Sequence, residues 1–387
     1  MPDAWIDTRG TALEGGTGIA TYATGLASTL ERMGNKPDFL RLAPAGSPVV
    51  QGRPDIITII SYILKAMGPW VRIRQDREGH PYLPYMFRMG NTHLQCFGRP
   101  LRLKAQVPPR VMHWTYPLPL KVMNAVNIAT IHDIIPLLHS DLTGIDPVRM
   151  KKVLHAVTAG MDHIITVTET VRRQVIAHLG VEESRITNLY QCAGVSAGEA
   201  RLLPGAEAVA PADSFVCVGR VEARKNIRRL VMAHGMSETR RPLVIIGPDG
   251  DDRPDLSPVH GEQTIIRVPW CARHSLLRAM AEARALLFPS LGEGFGLPII
   301  EAMSLDTPVM TSAGGATQEV AGNAALLVDP MDIKEMSQTI RRLDGMDTAI
   351  RNTLVAAGRE RAKFFSLDMQ AARMAAFYER LFQTSVL

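Results

Sequence analysis

Short, uninterrupted apolar runs alternate with helix-period patterns along nearly the whole chain. No other feature constrains the fold as much. Residues 126–131, 164–167 and 186–190 read as strands in the first half. Residues 215–218, 243–246, 264–268, 286–288, 309–311 and 326–328 read as strands in the second. A strand with one wet face alternates apolar and polar residues; an unbroken apolar strand needs cover on both faces, as in a parallel sheet between helices. Between the runs, Ile19, Tyr22, Leu26, Leu30 and Met33 recur every three or four residues, the spacing of an amphipathic helix. The predicted class is α/β throughout.

A chain of 387 residues is long enough for two such domains. The break falls at residues 197–213, rich in Ala, Pro and Gly and without strand character. The expected organisation is a first domain over residues 1–196, a linker over 197–213, and a second domain over 214–366. The amphipathic stretch 367–382 follows the last strand–helix unit. No stretch approaches the roughly 20 apolar residues of a membrane span. The best candidate, 56–64, contains Thr58 and Ser61 and stops at Lys65. The first residues lack the basic start and apolar core of a secretory signal, so a cytoplasmic protein is expected. Cys96, Cys192, Cys217 and Cys271 form no Cys-x-x-Cys pair and read as reduced, mostly buried thiols. No His/Cys ligand cluster is present, and no metal is expected.

Charge is uneven. Residues 1–200 hold 21 Lys and Arg against 16 Asp and Glu, a net of +5, while residues 201–387 hold 22 of each. With no run of five basic residues, nucleic acid is not the expected partner. An anionic lipid surface or acceptor beside the first half is. Residues 70–110 mix eight Arg or Lys with Trp70, Tyr82, Tyr85, Phe87 and Phe97, as a segment docking on the inner face of the membrane would.

Four clusters carry chemistry. Gly15-Gly16-Thr17-Gly18 precedes the first amphipathic helix, where glycines permit close approach and free amides favour an anion; a tight turn is the plainer reading. Gly219-Arg220-Val221-Glu222-Ala223-Arg224-Lys225-Asn226 follows the first strand of the second half. That is the carboxyl-end position where open α/β sheets bind ligands, and Arg220 and Lys225 suit a pair of phosphates there. The third runs from Pro289 to Met303: a glycine loop with Glu293, then Phe295, Gly296 and Leu297 opening a helix that carries Glu301. The fourth is His132-Asp133 at a strand end, where His132 is as readily a satisfied half-buried histidine as a catalytic one.

The Glu293–Glu301 element resembles the Glu-x7-Glu signature of the family 4 retaining glycosyltransferases. The Gly219–Asn226 turn and Gly314-Gly315-Ala316-Thr317-Gln318-Glu319 resemble further parts of that pattern in the same order, as do Val167-Thr168-Glu169 in the first half. The resemblance implies the GT-B architecture: two Rossmann-like domains facing across a cleft, with the last helix, 367–387, crossing back to the first. It implies a nucleoside-diphosphate sugar as co-substrate, no other cofactor, and a glycan or lipid-linked acceptor on the first domain. Arg220 and Lys225 would clamp the pyrophosphate, with the amides of Phe295, Gly296, Leu297 and Gly16. Glu301 would hold the ribose, Glu293 the sugar, and His132 the sugar or acceptor. Trp270 would wall the base or pack in a core. Two positions depart from the family's usual pattern: Asp306 and Pro269-Trp270, where glycine and Gly-aromatic are frequent. The pattern is similar to bacterial mannosyltransferases of lipopolysaccharide and exopolysaccharide assembly, which points to GDP-mannose and a polyprenyl-diphosphate-linked acceptor; a UDP-sugar donor, a sucrose-phosphate-type acceptor, an epimerase or phosphorylase on the same fold, and a non-catalytic nucleotide-sugar-binding subunit are the alternatives.

Overall fold

The computed structural model describes residues 3–8, 18–44, 55–259 and 261–383. The chain divides into two compact units. One comprises Met1–Leu137, Asp146–Cys192 and Leu367–Leu387; the other comprises Leu138–Ile145 and Ala193–Ser366.

The first unit is built on a six-stranded, fully parallel sheet. Its order is Ile186–Asn188, His163–Thr166, Val126–Ile131, Val111–Trp114, Ala4–Asp7 and Asp38–Leu40. The expected strands at 126–131, 164–167 and 186–190 are all in it. The strands at 4–7, 38–40 and 111–114 were not expected. Each carries a polar residue that breaks the apolar run: Asp7, Asp38 and His113. The predicted helix spans Gly18–Arg32 and buries Tyr22, Leu26 and Leu30. The C-terminal helix Leu367–Gln383 packs on it in the same unit. Arg32 Nε meets Asp368 Oδ1 at 2.7 Å, and Tyr378 Oη lies 2.6 Å from His113 Nε2 on the sheet.

The second unit's sheet is also six-stranded and parallel, in the order Ile265–Val268, Leu243–Ile246, Phe215–Val218, Ala285–Phe288, Val309–Ser312 and Leu326–Val328. All six strands match the expected ones within one residue at either end. The reason for their unbroken apolarity is direct. Phe215, Cys217, Leu243, Ile245, Ala285 and Leu287 pack on one face against the helices Ile227–Met236 and Ile333–Asp344. The alternate residues Val216, Val218, Val244, Ile246, Leu286 and Phe288 are buried too.

Three expectations are corrected. The stretch 197–213 carries a helix, Ala197–Leu202, started by a reciprocal Ser196–Glu199 capping box, and it belongs to the second unit. Leu138–Ile145, expected within the first domain, also belongs to the second unit. Of the four free thiols only Cys217 is buried; Cys192 and Cys271 are half-buried and Cys96 is exposed. Asp306 sits in the left-handed region at φ 61°, which explains why a glycine suits the position. Its carboxylate is held by Arg359.

Candidate functional site

In the second unit the strand order reverses between Phe215–Val218 and Ala285–Phe288, strands adjacent in space but distant in sequence. Open α/β sheets bind ligands outside the carboxyl ends of strands at such a switch point. The two loops leaving those ends are Gly219–Asn226 and Pro289–Gly296, the second and third clusters of the sequence.

The loops are stitched together by charge. Lys225 Nζ lies 2.6 Å from Glu293 Oε1, and Arg224 Nη1 lies 2.7 Å from Glu293 Oε2. Arg224 also donates from Nε to Glu222 Oε2 at 2.7 Å. Leu291 N donates to Arg224 O, and Asn226 Nδ2 donates to the carbonyls of Pro289 and Pro330. Lys225 is buried, the Glu293 side chain is 9% exposed, and the ammonium lies 4.4 Å from the centre of the Phe288 ring. Burial alone would raise the Glu293 carboxyl; the cations Arg224 and Lys225 outweigh it and hold it down at about 2. Burial pushes the Lys225 ammonium below the ordinary lysine range, against the pull of Glu293. Gly219, at φ +139°, makes room for this pair: a Cβ there would stand 3.1 Å from Lys225 Cε and 3.2 Å from Nζ.

Arg220 lies on the same loop but apart from the Lys225–Glu293 pair. It is half-exposed, donates from Nη1 to Asp249 O at 2.9 Å, and approaches Glu222 at 3.9 Å. After Glu293 the chain turns through Gly296, at φ +100°, into the helix Leu297–Ser304 with Pro298 in its first turn. Phe295 is buried edge-on against Phe365, which anchors the loop. Glu301, one turn into the helix, is buried, and its Oε1 accepts from Arg273 Nη1 at 2.6 Å. Arg273 also reaches Glu199 at 3.2 Å. Trp270, in the loop before the Arg273–Ala281 helix, is 69% exposed, so it packs in no core.

In the first unit His132 follows the strand Val126–Ile131 at its carboxyl end. Its Nε2 donates to Thr115 O at 2.8 Å, and its ring meets Tyr22 edge-on at 4.8 Å. Burial pushes the imidazole down to about 4, against the pull of that carbonyl. It is therefore neutral at pH 7, with Nδ1 as an acceptor. Gly16 lies outside the described residues, with most of its glycine cluster. Thr168 caps the helix Glu169–Leu179 by accepting from Val171 N at 3.2 Å, which explains the Val167-Thr168-Glu169 motif locally.

The structure brings together Lys225 and Glu293, expected on separate partners, and sets Arg220 and Glu301 on other contacts. Two residues escaped the sequence reading. Arg224 stood in the second cluster, next to Lys225, with no role given to it. Arg273 opens an unremarkable helix and offered no local signal. Among the described residues no group of three or more His, Cys, Asp or Glu side chains is placed to hold a metal ion.

Comparison with known proteins follows this division. The Glycosyltransferase Family 4 model matches residues 16–191, and the Glycosyl transferases group 1 model matches residues 212–344. The chain is 32% identical over 265 residues to the O-antigen chain mannosyltransferase B of Escherichia coli, covering 65% of this chain and 69% of that one. It is 26% identical over 230 residues to the O-antigen chain mannosyltransferase RfbU of Salmonella typhimurium, covering 57% and 62%. Among solved structures, the sucrose-phosphate synthase of Thermosynechococcus elongatus superposes with a TM-score of 0.67 at 20% identity, over 99% of this chain and 100% of that one. HepE of Anabaena, solved in complex with UDP and glucose, superposes with a TM-score of 0.64 at 11% identity, over 98% and 100%. Two Rossmann-like parallel-sheet units, the order of the motifs and these matches agree: the chain belongs to the family 4 glycosyltransferases, on the GT-B fold.

Proposed function

We propose that the chain moves mannose from GDP-mannose, with retained anomeric configuration, onto a glycan carried on polyprenyl diphosphate. It would do so at the inner face of the cytoplasmic membrane, in the assembly of a bacterial surface polysaccharide. The observation that carries the reading is the Lys225–Glu293–Arg224 ion cluster at the switch point, beside a glycine turn that opens a helix. Such a place offers a diphosphate fixed cations and helix-start amides. Arg220 and Lys225 would stabilise charge as it grows on the leaving diphosphate, with the amides of Phe295, Gly296 and Leu297. Glu301, oriented by Arg273, would accept from the ribose hydroxyls. Glu293 would orient the sugar, and exposed Trp270 would wall the base.

The protonation states favour one account of the chemistry. A carboxylate held at about 2 is a weak base, so Glu293 is poorly suited to take the acceptor proton. The neutral His132, held at about 4, is weak too. A phosphate oxygen of the leaving nucleotide is the better base. The acceptor hydroxyl then attacks the anomeric carbon on the face the diphosphate leaves, and its proton passes to that diphosphate.

The mannose reading leans on the relatives named mannosyltransferases; the UDP-bound neighbours favour a second reading, a UDP-sugar donor. A thermal-shift screen with GDP, UDP and ADP separates them. A nucleotide at a hundred times its Kd stabilises the native state by about 2.7 kcal/mol, several degrees in Tm. GDP is expected to give the largest shift. A shift with UDP alone refutes the GDP-mannose assignment.

His132 belongs to the unit assigned to the acceptor. His132→Ala is expected to lower the transfer rate by at least about tenfold while GDP affinity stays unchanged, because a positioned polar group at a reacting centre contributes about 10²-fold or more. Initial rates beside calorimetry with GDP measure both. Full activity would leave His132 the structural role of holding Thr115.

A further inference from the structure

The helix Ile56–Ala66 has the most exposed apolar surface of the described helices. Its sequence, Ile-Ile-Thr-Ile-Ile-Ser-Tyr-Ile-Leu-Lys-Ala, is apolar on both sides. One side packs inward: Ala66 is buried, Tyr62 stacks on Tyr85, and the helix lies on Met86–Phe97. The other side faces solvent. Ile57 is 81% exposed, Ile56 74% and Leu64 67%, with Ile60, Ile63 and Met67 completing the stripe. The spacing 56, 60, 63, 64 and 67 is that of one helix face. The helix is not kept for its propensity, since β-branched residues are poor helix formers. An apolar stripe of this kind marks an interaction surface.

Charge identifies the occupant. Residues 56–110 contain nine Lys and Arg and two Asp and Glu, a net of +7 in a chain whose total is +5. Basic groups lie on the helix and around Trp70, which follows it in the chain. Lys65 is on the helix's last turn, and Trp70 follows two residues after Gly68, half in solvent. Lys104 Nζ lies 5.1 Å from the Trp70 ring centre. Arg72 pairs with Lys104 across two short strands, both side chains exposed. An exposed apolar helix face, an interfacial tryptophan and flanking cations together match a bilayer surface with anionic lipids.

We propose that the Ile56–Ala66 helix lies in the headgroup region of an anionic bilayer, its Ile56–Met67 stripe buried among acyl chains and Arg72 and Lys104 on the lipid phosphates. This deepens the proposed function and rests on it for the reason a bilayer is needed, a lipid-linked acceptor. The test needs no nucleotide sugar. The full chain is co-sedimented with vesicles of phosphatidylcholine alone or mixed with phosphatidylglycerol. Binding to the mixed vesicles is expected to exceed that to phosphatidylcholine by at least about tenfold and to fall with salt. Ile57→Glu with Ile60→Glu, and separately Arg72→Glu with Lys104→Glu, should each weaken it at least about tenfold, with Tm unchanged because these side chains are in solvent. Binding that ignores lipid charge and salt, or survives the isoleucine changes, overturns the proposal. So does a dimer that those changes split while vesicles are never bound, since a second copy then covers the stripe. Absent vesicle binding with sugar transfer to a soluble acceptor intact refutes this surface and leaves the enzyme reading standing. Vesicle binding without use of any nucleotide sugar does the reverse.

Discussion

Glu293→Gln is expected to lower kcat by roughly 10²-fold while GDP affinity falls by no more than about threefold, and to destabilise the fold. The kinetic effect follows from the proposed role: Glu293 positions the sugar, and positioning sets the reaction geometry. In that role it would make no contact with the bare nucleotide. The stability effect follows from what the carboxylate does in the structure. It is the anion between Arg224 and Lys225, at 2.7 and 2.6 Å. Removing one partner of a buried ion pair costs about 3–5 kcal/mol, because the other charge stays buried without it. Arg224 keeps Glu222, so Lys225 bears most of that cost.

The pH dependence has a definite sign. The folded carboxyl, at about 2, is below its ordinary value of 4.5. Its contribution to stability is therefore present above pH 4.5 and is lost as pH falls toward 2. In chemical denaturation across that window the wild type should lose stability that Glu293→Gln never had, so the two curves converge. Parallel curves would show that Glu293 is not held as an anion by its neighbours.

Glu301 is expected to fail differently. If it holds the ribose, it contacts donor and free nucleotide alike, and its loss removes uniform binding. A charge-assisted hydrogen bond is worth about 1.5–3 kcal/mol, so Glu301→Ala should weaken GDP binding by roughly 10- to 100-fold and raise the donor KM, with kcat less affected. Glu301 enters this role already oriented by Arg273 at 2.6 Å. Calorimetry with GDP beside initial-rate kinetics reads both quantities. Loss of nucleotide binding in Glu293→Gln and its retention in Glu301→Ala would reverse the two assignments.

Much of this was legible in the sequence, and the reason is physical. The second unit's strands are covered on both faces, so each is an apolar run that stands out from its flanking loops. The first unit's strands at 4–7, 38–40 and 111–114 carry Asp7, Asp38 and His113, so no unbroken apolar run stands out there. The site loops were visible because tight turns and close approach demand particular residues: Gly219 beside Lys225, Gly296 before Leu297. Contacts between loops were not visible. Nothing in the spacing of 68 residues between Lys225 and Glu293 announces an ion pair, which exists because strands 215–218 and 285–288 are neighbours in the sheet. Arg273, far from Glu301 in sequence, was hidden for the same reason. The exposed stripe on the Ile56–Ala66 helix was hidden too, since an apolar segment does not say which side it will bury.

Sugar transfer itself is the decisive measurement. The protein is incubated with radiolabelled GDP-mannose and a polyprenyl-diphosphate-linked glycan, and the extracted lipid is counted and its new linkage analysed by NMR. Label is expected to move to the lipid-linked glycan, with GDP released in equal amount and the new bond keeping the α configuration of the donor. Failure to transfer from GDP-mannose when a UDP- or ADP-sugar is used instead, or a product of inverted configuration, would contradict the proposed function.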